Sequence, residues 1–495
     1  MNTSTWIGRN MSKLLPEPKP GSEPAIPSVE GSSHAIEKGV SASAGATPGV
    51  RSTRERLSAT LRRQEEALSP RVLRRTLEEL KAIVDPRVSE VEGGRRAQGV
   101  ALWYASATEA QRRDMWLLMS EQFVADAQNV RQAQAQFAAA VGTPDEAAAE
   151  VQYRRATVSP RRRLLQRFSV FDGGIRFLVD LRAEMLPYLK TDRRLQALDV
   201  EMEYMFSTWF DVGFLDLRRI SWDSPASLIE KLIKYEAVHD IRSWADVKNR
   251  LDADRRCYGF FHPRLPDEPL IFVEVAFTTA IADSITPLLD EAAAPADPAR
   301  SSTAIFYSIS NTQPGLKGVS FGDSLIKRVV ETLRTEFPRL KVFATLSPMP
   351  GFRNWLSRHA DRLLQLTPLK ARDELARSLG AQPLTAQAVL AALDSVPALE
   401  PKSPLRHWLL QCGAQYLGRE MADGKPLDAV ARFHLGNGAR VERLNWAADP
   451  SAKGIRQSCG LMVNYLYDLG RLDRHRTQLA QGKIPVSSAT AALFF

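Results

Sequence analysis

The sequence predicts an α+β protein of 495 residues in which an all-helical region precedes an α/β region. Three observations carry that reading. From about Leu61 to Phe214, apolar residues recur at helical spacing between capping signatures. Beyond Asp211, short apolar runs rich in Val, Ile and Phe alternate with amphipathic stretches, the pattern of a sheet flanked by helices. Within that second half, Thr303 to Trp355 passes from an apolar run through a glycine-rich turn into a helix, then into a second apolar run. Hydrophobic content of 44% and charged content of 25% are globular values, and the chain is too long for one ordinary core.

The elements follow in order. Residues 1–60 form a tail whose first 50 residues are rich in Pro, Ser, Gly and Glu, with Trp6 the only aromatic. Such a composition does not offset its ordering entropy and predicts disorder. Residues 61–213 read as an antiparallel helical bundle. Ser106-Ala-Thr-Glu109 and Thr143-Pro-Asp-Glu146 match the capping box, the second with proline at the first helical position. Met115, Trp116, Met119 and Phe123 make an apolar stripe on the helix starting near Thr108, and Ala133 to Ala149 adds helix propensity. Asp172-Gly-Gly174 breaks one helix before Ile175 to Leu189 forms another. The stripe predicts self-association, so the bundle is expected to be an oligomerisation domain.

Residues 214–495 make the α/β region. Ser224-Pro225 starts a short helix holding Glu230 and Lys231, and Ser243-Trp-Ala-Asp246 caps another. Strands are expected over Arg256–Phe261, Leu270–Phe277, Ala304–Ile309 and Leu340–Leu346, with a helix over Asp323–Phe337 between the last two. Residues 360–425 return to helices. Phe433 to Trp446 reads as a hairpin turned at Asn437-Gly438.

Several function classes are excluded or disfavoured. No apolar run reaches the roughly 18 residues needed to cross a bilayer. Met1 to Gly49 lacks a signal-peptide core and has few arginines, and the final Ala-Ala-Leu-Phe-Phe495 is not a peroxisomal address, so a cytoplasmic location is expected. Cys257, Cys412 and Cys459 have neither zinc-site nor disulfide-framework spacing, and no metal site is expected. The net charge of +9 gathers early, in arginines from Arg51 to Arg75 interleaved with glutamates. That is the pattern of a solvated helix face rather than of a nucleic-acid stripe, and it also steers a polyanionic small substrate.

The turn after Ala304–Ile309 runs Asn311-Thr-Gln-Pro-Gly315-Leu-Lys317-Gly318-Val-Ser320-Phe-Gly322. Glycines ahead of a helix let backbone amides approach a phosphate, and the helix N-terminus adds partial positive charge. The turn lacks both the Walker Gly-Lys-Ser/Thr and the Gly-x-Gly-x-x-Gly pattern, and alone such a turn is more often a plain connection. The longer blocks say more. Tyr307-Ser-Ile-Ser-x-Thr-Gln-x-Gly-Leu-x-Gly-Val319, Leu325-Ile-Lys-Arg-Val-Val330 and Leu346-Ser-Pro-x-Pro-Gly-Phe352 resemble the malonyl-CoA decarboxylase family. So do Ala431-Arg-Phe-His-Leu-x-Asn-Gly438, Asn445-Trp446 and Ser458-Cys-Gly-Leu-Met-Val-Asn-Tyr465-x-Tyr467. The resemblance covers roughly residues 70–470 and is strongest from about 300 onward.

That resemblance implies a catalytic domain with the fold of the GNAT acetyltransferases, acting on malonyl-CoA to give acetyl-CoA and CO2, and a homotetramer. It places CoA across Lys317, Gly318, Val319, Ser320, Phe321, Gly322 and Asp323. At Ser320 some members carry glutamate, so no carboxylate role is assigned there. It makes Ser347 and His434 catalytic, the histidine as proton donor, and adds Tyr467 and, less securely, Lys231. By sequence alone Ser347-Pro348 is a turn starter and a lone histidine is usually structural. No Gly-x-Ser-x-Gly elbow surrounds Ser347, which argues against a hydrolase. No cofactor is expected, because the thioester is its own electron sink. An acyl-CoA N-acetyltransferase of the same fold and a noncatalytic CoA-binding interaction protein are the alternatives.

Overall fold

Strand pairing orders the second half of the chain, and a set of short helices fills the first. The computed structural model describes residues 70–319, 321, 325–393 and 400–495. The expected tail over residues 1–60 lies outside them. In the helical region, α1 (Pro70–Val84), α2 (Glu90–Ser106), α3 (Glu109–Glu121), α4 (Ala127–Ala140), α5 (Glu146–Thr157), α6 (Pro160–Phe168), α7 (Gly174–Met185) and α8 (Gln196–Trp209) follow one another through short links.

The capping signatures are shifted from where the sequence motifs put them. The capping box of α3 is Thr108 with Gln111, whose side chain returns to the Thr108 amide at 2.9 Å. Ser106 instead ends α2, its hydroxyl donating to the carbonyl of Trp103. At Thr143 the expected box is absent: the hydroxyl donates back to Ala140, residues 143–145 form a turn, and α5 begins at Glu146. A larger correction concerns the stripe. Met115, Trp116, Met119 and Phe123 are each no more than 2% exposed, sealed inside this chain by the neighbouring helices. The apolar surface that predicted self-association is therefore intramolecular core.

One eight-stranded mixed sheet follows, ordered β1-β2-β3-β4-β5-β10-β6 with β9 paired to β10. Its strands are β1 (Asp216–Ile220), β2 (Arg255–His262), β3 (Leu265–Thr278), β4 (Thr303–Asn311), β5 (Val342–Thr345), β6 (Ser347–Pro348), β9 (Arg440–Asn445) and β10 (Met462–Leu466). β7 (Met421–Ala422) and β8 (Lys425–Pro426) form a separate small ribbon. Between β1 and β2 lie α9 (Ala226–Tyr235) and α10 (Trp244–Arg250), the latter capped by Ser243. α11 (Leu325–Glu336) links β4 to β5, which pair in parallel, as expected for a GNAT-like βαβ unit. Helices α12 (Phe352–Leu366), α13 (Leu369–Leu379), α14 (Ala386–Ala391) and α15 (Pro404–Gly418) come next. Then come α16 (Ala429–Gly436), α17 (Ala452–Ser458), α18 (Leu472–Ala480) and α19 (Ser488–Ala491).

The expected hairpin over Phe433–Trp446 is not a hairpin. Asp428 caps α16 by accepting from the amides of Val430 and Ala431, and Ala431, His434 and Leu435 are buried at helical spacing. Gly438, at φ +87°, ends that helix, the Ala439 amide returning to the His434 carbonyl at 3.1 Å. The left-handed residue that suits an Asn-Gly hairpin turn serves here as a helix stop. His434 accordingly sits on a helix rather than a strand.

A single hydrophobic cluster runs from Leu73 in α1 through the sheet to Ile484. The helical region and the sheet thus share one core. No described helix is long and apolar enough to cross a membrane.

Candidate active site

The sheet itself opens the site. The parallel ladder of β4 and β5 ends at Phe306–Thr345, after which β4 stays with β3 as far as Asn311 while β6 follows β10. A register shift between Glu274 and Val275 of β3 coincides with this parting. Ser347 is the first residue of β6, directly opposite Val463, at the point where the strands diverge. Pro348 and Pro350 stiffen the backbone that follows.

Four side chains form a continuous chain there. The Ser347 hydroxyl donates to Thr345 Oγ1 at 2.9 Å, and its oxygen lies 3.2 Å from His434 Nε2. His434 Nδ1 lies 2.7 Å from the Tyr467 hydroxyl. Because the serine proton points to Thr345, the network assigns the imidazole proton to Nε2 and makes Tyr467 the donor to Nδ1. The Tyr465 ring stacks on the imidazole, centroids 4.7 Å apart, and fixes its plane. Ser347, His434 and Tyr467 are all 5% exposed or less. Burial holds His434 at a pKa of about 3, so the ring is neutral. Burial likewise raises Tyr467 and Tyr465 well above the ordinary phenol range, and both stay protonated.

Three of the four expected catalytic residues are thus brought together across 120 residues of sequence. Lys231 is not among them. Its ammonium lies 3.0 Å from Glu268 and donates to the Asp267 carbonyl, both at the start of β3. It is an α9 side chain that fastens β3, and neither Glu268 nor Asp267 belongs to the serine cluster. Thr345 and Tyr465 went unselected by sequence reasoning. The signal for Thr345 was alternation, since a residue two before Ser347 on one strand run shares its face. Tyr465 stood two residues before Tyr467 for the same reason.

The glycine turn starts as a single 3₁₀ turn, Pro314–Leu316. The amides of Leu316, Lys317 and Val319 bond to the carbonyls of Gln313, Pro314 and Leu316 within it. Amides that would face a phosphate therefore begin at Gly318, which adopts φ +83°. Lys317 is exposed, Val319 is buried, and Phe321 is half-buried with its carbonyl held by the Val212 amide. Ser320, Gly322 and Asp323 lie outside the described residues. The helix expected from Asp323 is described from Leu325.

Residues 213–494 match the malonyl-CoA decarboxylase C-terminal domain, and residues 123–210 match the malonyl-CoA decarboxylase N-terminal domain. The mitochondrial malonyl-CoA decarboxylase of Mus musculus is 40% identical over 338 residues, 65% of this chain and 68% of that protein. That of Rattus norvegicus is 37% identical over 395 residues, 76% of this chain and 80% of that protein. The crystal structure of malonyl-CoA decarboxylase from Cupriavidus metallidurans superposes with a TM-score of 0.69 at 42% identity, covering 86% of this chain and all of that one. The enzyme from Rhodopseudomonas palustris gives 0.73 at 39% identity, covering 87% of this chain and all of that one. With both domains matched in order, the chain belongs to the malonyl-CoA decarboxylase family.

Proposed function

We propose that the Tyr467–His434–Ser347 chain protonates the enolate formed when this enzyme, a carboxy-lyase, converts malonyl-CoA to acetyl-CoA and CO2. The observation that carries the assignment is what stands behind the histidine. In a serine hydrolase a carboxylate holds Nδ1 and stabilises the imidazolium that forms when serine is deprotonated. Here Nδ1 faces a phenol, and the serine proton is turned towards Thr345. The histidine is not prepared to make serine a nucleophile.

In this reading the substrate supplies the missing charge. A malonyl carboxylate arriving beside a buried neutral imidazole raises its pKa, because an opposite charge within a few ångströms favours the protonated form. The bond between Cα and the carboxylate then breaks, CO2 leaves, and the electron pair moves into the thioester as an enolate. Hydrogen-bond donors stabilise the enolate oxygen. The imidazolium, oriented through Ser347, returns its proton to Cα and is neutral again. One proton enters from solvent per turnover, and the thioester accepts the electrons without a cofactor. Lys317, the Gly318 amide and the segment continuing to Asp323 bind the CoA pyrophosphate and pantetheine. Purified protein incubated with malonyl-CoA and no amine acceptor should form acetyl-CoA and CO2. An absolute requirement for an amine acceptor would instead mark an acetyltransferase.

We also read the protein as a homo-oligomer, a tetramer, located in the cytoplasm. The surface that supports association is the α4–α5 hairpin and not the buried Trp116 stripe. That hairpin buries only Ala133 and leaves Val141, Val151 and Val158 exposed. Light scattering on the full chain tests the assembly, a monomeric parent at micromolar concentration refuting it; Val151→Glu should lower the oligomeric state, and an unchanged state removes this hairpin from the interface. The curated relatives carry the word mitochondrial in their names, and cell fractionation distinguishes the two locations.

A further inference from the structure

The helical region reaches the glycine turn through one buried arginine. Arg182 lies on α7 and is 1% exposed. Its Nε donates to Asp199 of α8 at 2.8 Å, and Nη1 donates to the carbonyls of Gly315 and Lys317 at 2.7 and 2.9 Å. Its Nη2 lies 3.8 Å from Glu203, also on α8. The turn rests directly on this helix: a Cβ at Gly315 would stand 1.9 Å from the Val179 carbonyl. Arg176, six residues earlier on α7, donates to the Gln313 side chain.

The direction of these bonds matters. In a trans peptide the carbonyl and the following amide point to opposite sides. Fixing the Lys317 carbonyl on Arg182 therefore aims the Gly318 amide away from that guanidinium. Two carboxylates, Asp199 and Glu203, stand close to the turn, and the same guanidinium offsets both before a polyanion arrives. A guanidinium fork suits this task because it presents several donors in fixed directions, whereas an ammonium is a single point of charge.

We propose that Arg182 is a positioning residue of the malonyl-CoA site: the helical region, through this side chain, sets the orientation of the glycine turn that receives CoA. The inference rests on the reading of that turn as the CoA-binding segment, and the experiment separates the two. Four full-length variants are compared by steady-state kinetics with malonyl-CoA: Arg182→Met, Arg182→Lys, Lys317→Met and Gly318→Ala. Melting temperature and circular dichroism are recorded for each. Arg182→Met should raise KM about tenfold or more while kcat stays within about threefold, since pre-organisation of the binding segment is lost and the proton chain is untouched. Arg182→Lys, which restores a charge but not the fork, should recover only part of the change.

A fold stabilised by Arg182 for purely structural reasons predicts a lower melting temperature with unchanged KM, and that result overturns the proposal. If Arg182→Met does not fold, Asp199→Asn loosens the guanidinium without emptying the space and should raise KM in the same sense; an unchanged KM there overturns it equally. If Lys317→Met and Gly318→Ala leave KM unmoved, the turn itself is not the CoA site and both readings fall. If they raise KM while the Arg182 variants do not, only the positioning role is lost.

Discussion

Replacing His434 by asparagine tests the proton chain most directly. The imidazole meets Ser347 at 3.2 Å on one nitrogen and Tyr467 at 2.7 Å on the other. An asparagine side chain is shorter and does not span both partners, so the route from Tyr467 to Ser347 is cut. Removing a positioned acid typically lowers a rate by about 10²–10⁴-fold, or about 3–5 kcal/mol of transition-state free energy. CoA affinity should change little, because His434 hydrogen-bonds to Ser347 and Tyr467 and, among the described residues, not to the turn. Ser347→Ala should fall in the same range, since the Nε2 proton loses its acceptor. The double variant should be no worse than the poorer single one, as two members of one unit are not additive. The assay is acetyl-CoA formation from malonyl-CoA, run also in deuterated buffer, where the product methyl should carry one solvent deuteron. A folded His434→Asn enzyme keeping turnover within about threefold of the parent would refute the assignment, and Tyr467 would then be the next acid to test.

Other expectations follow from the same contacts. Tyr467→Phe removes the donor to Nδ1 but leaves the imidazole stacked on Tyr465, so turnover should fall about tenfold, less than for His434, with KM unchanged in the same assay. Acid sensitivity should be visible in stability. His434 and His239 are held at pKa values of about 3 and about 4 by burial, against an ordinary 6.5. The unfolded chain therefore binds more protons below pH 6.5, and stability falls as pH drops from there towards 4, each histidine contributing about 2 kcal/mol between pH 7 and 5. Urea unfolding at pH 7 and pH 5 checks this: His434→Gln should flatten the dependence, and a slope equal to the parent's would show that the histidine is protonated in the fold.

Much of this architecture was legible because the signals were local. Strand runs such as Leu270–Phe277 and Ala304–Ile309 were apolar enough to be buried on both faces and appear inside β3 and β4. The Asn437-Gly438 signal misled because a left-handed glycine serves a hairpin turn and a helix stop equally. What decided between them was Asp428 nine residues earlier, bonding two amides at the helix start. The Trp116 stripe was read correctly as apolar and assigned wrongly to a surface, since periodicity shows which face is apolar and not what covers it. Lys231 entered through resemblance and is held by Glu268 at the start of β3.

The least legible feature was the dependence of the site on the helical region. Composition and periodicity divide the chain near residue 213, and that division suggests one part that assembles and another that catalyses. The contacts argue otherwise. Arg182 and Val179 of α7 hold the glycine turn, and Arg328 of α11 donates to the carbonyls of Val212 and Leu215 where the two parts join. Each is a long-range pairing between residues more than 100 positions apart, with no local pattern to betray it. An arginine buried within an otherwise apolar helix face was the one available sign. A guanidinium placed there must be neutralised and hydrogen-bonded by something, and in this chain that something is Asp199 together with the turn that would meet the substrate.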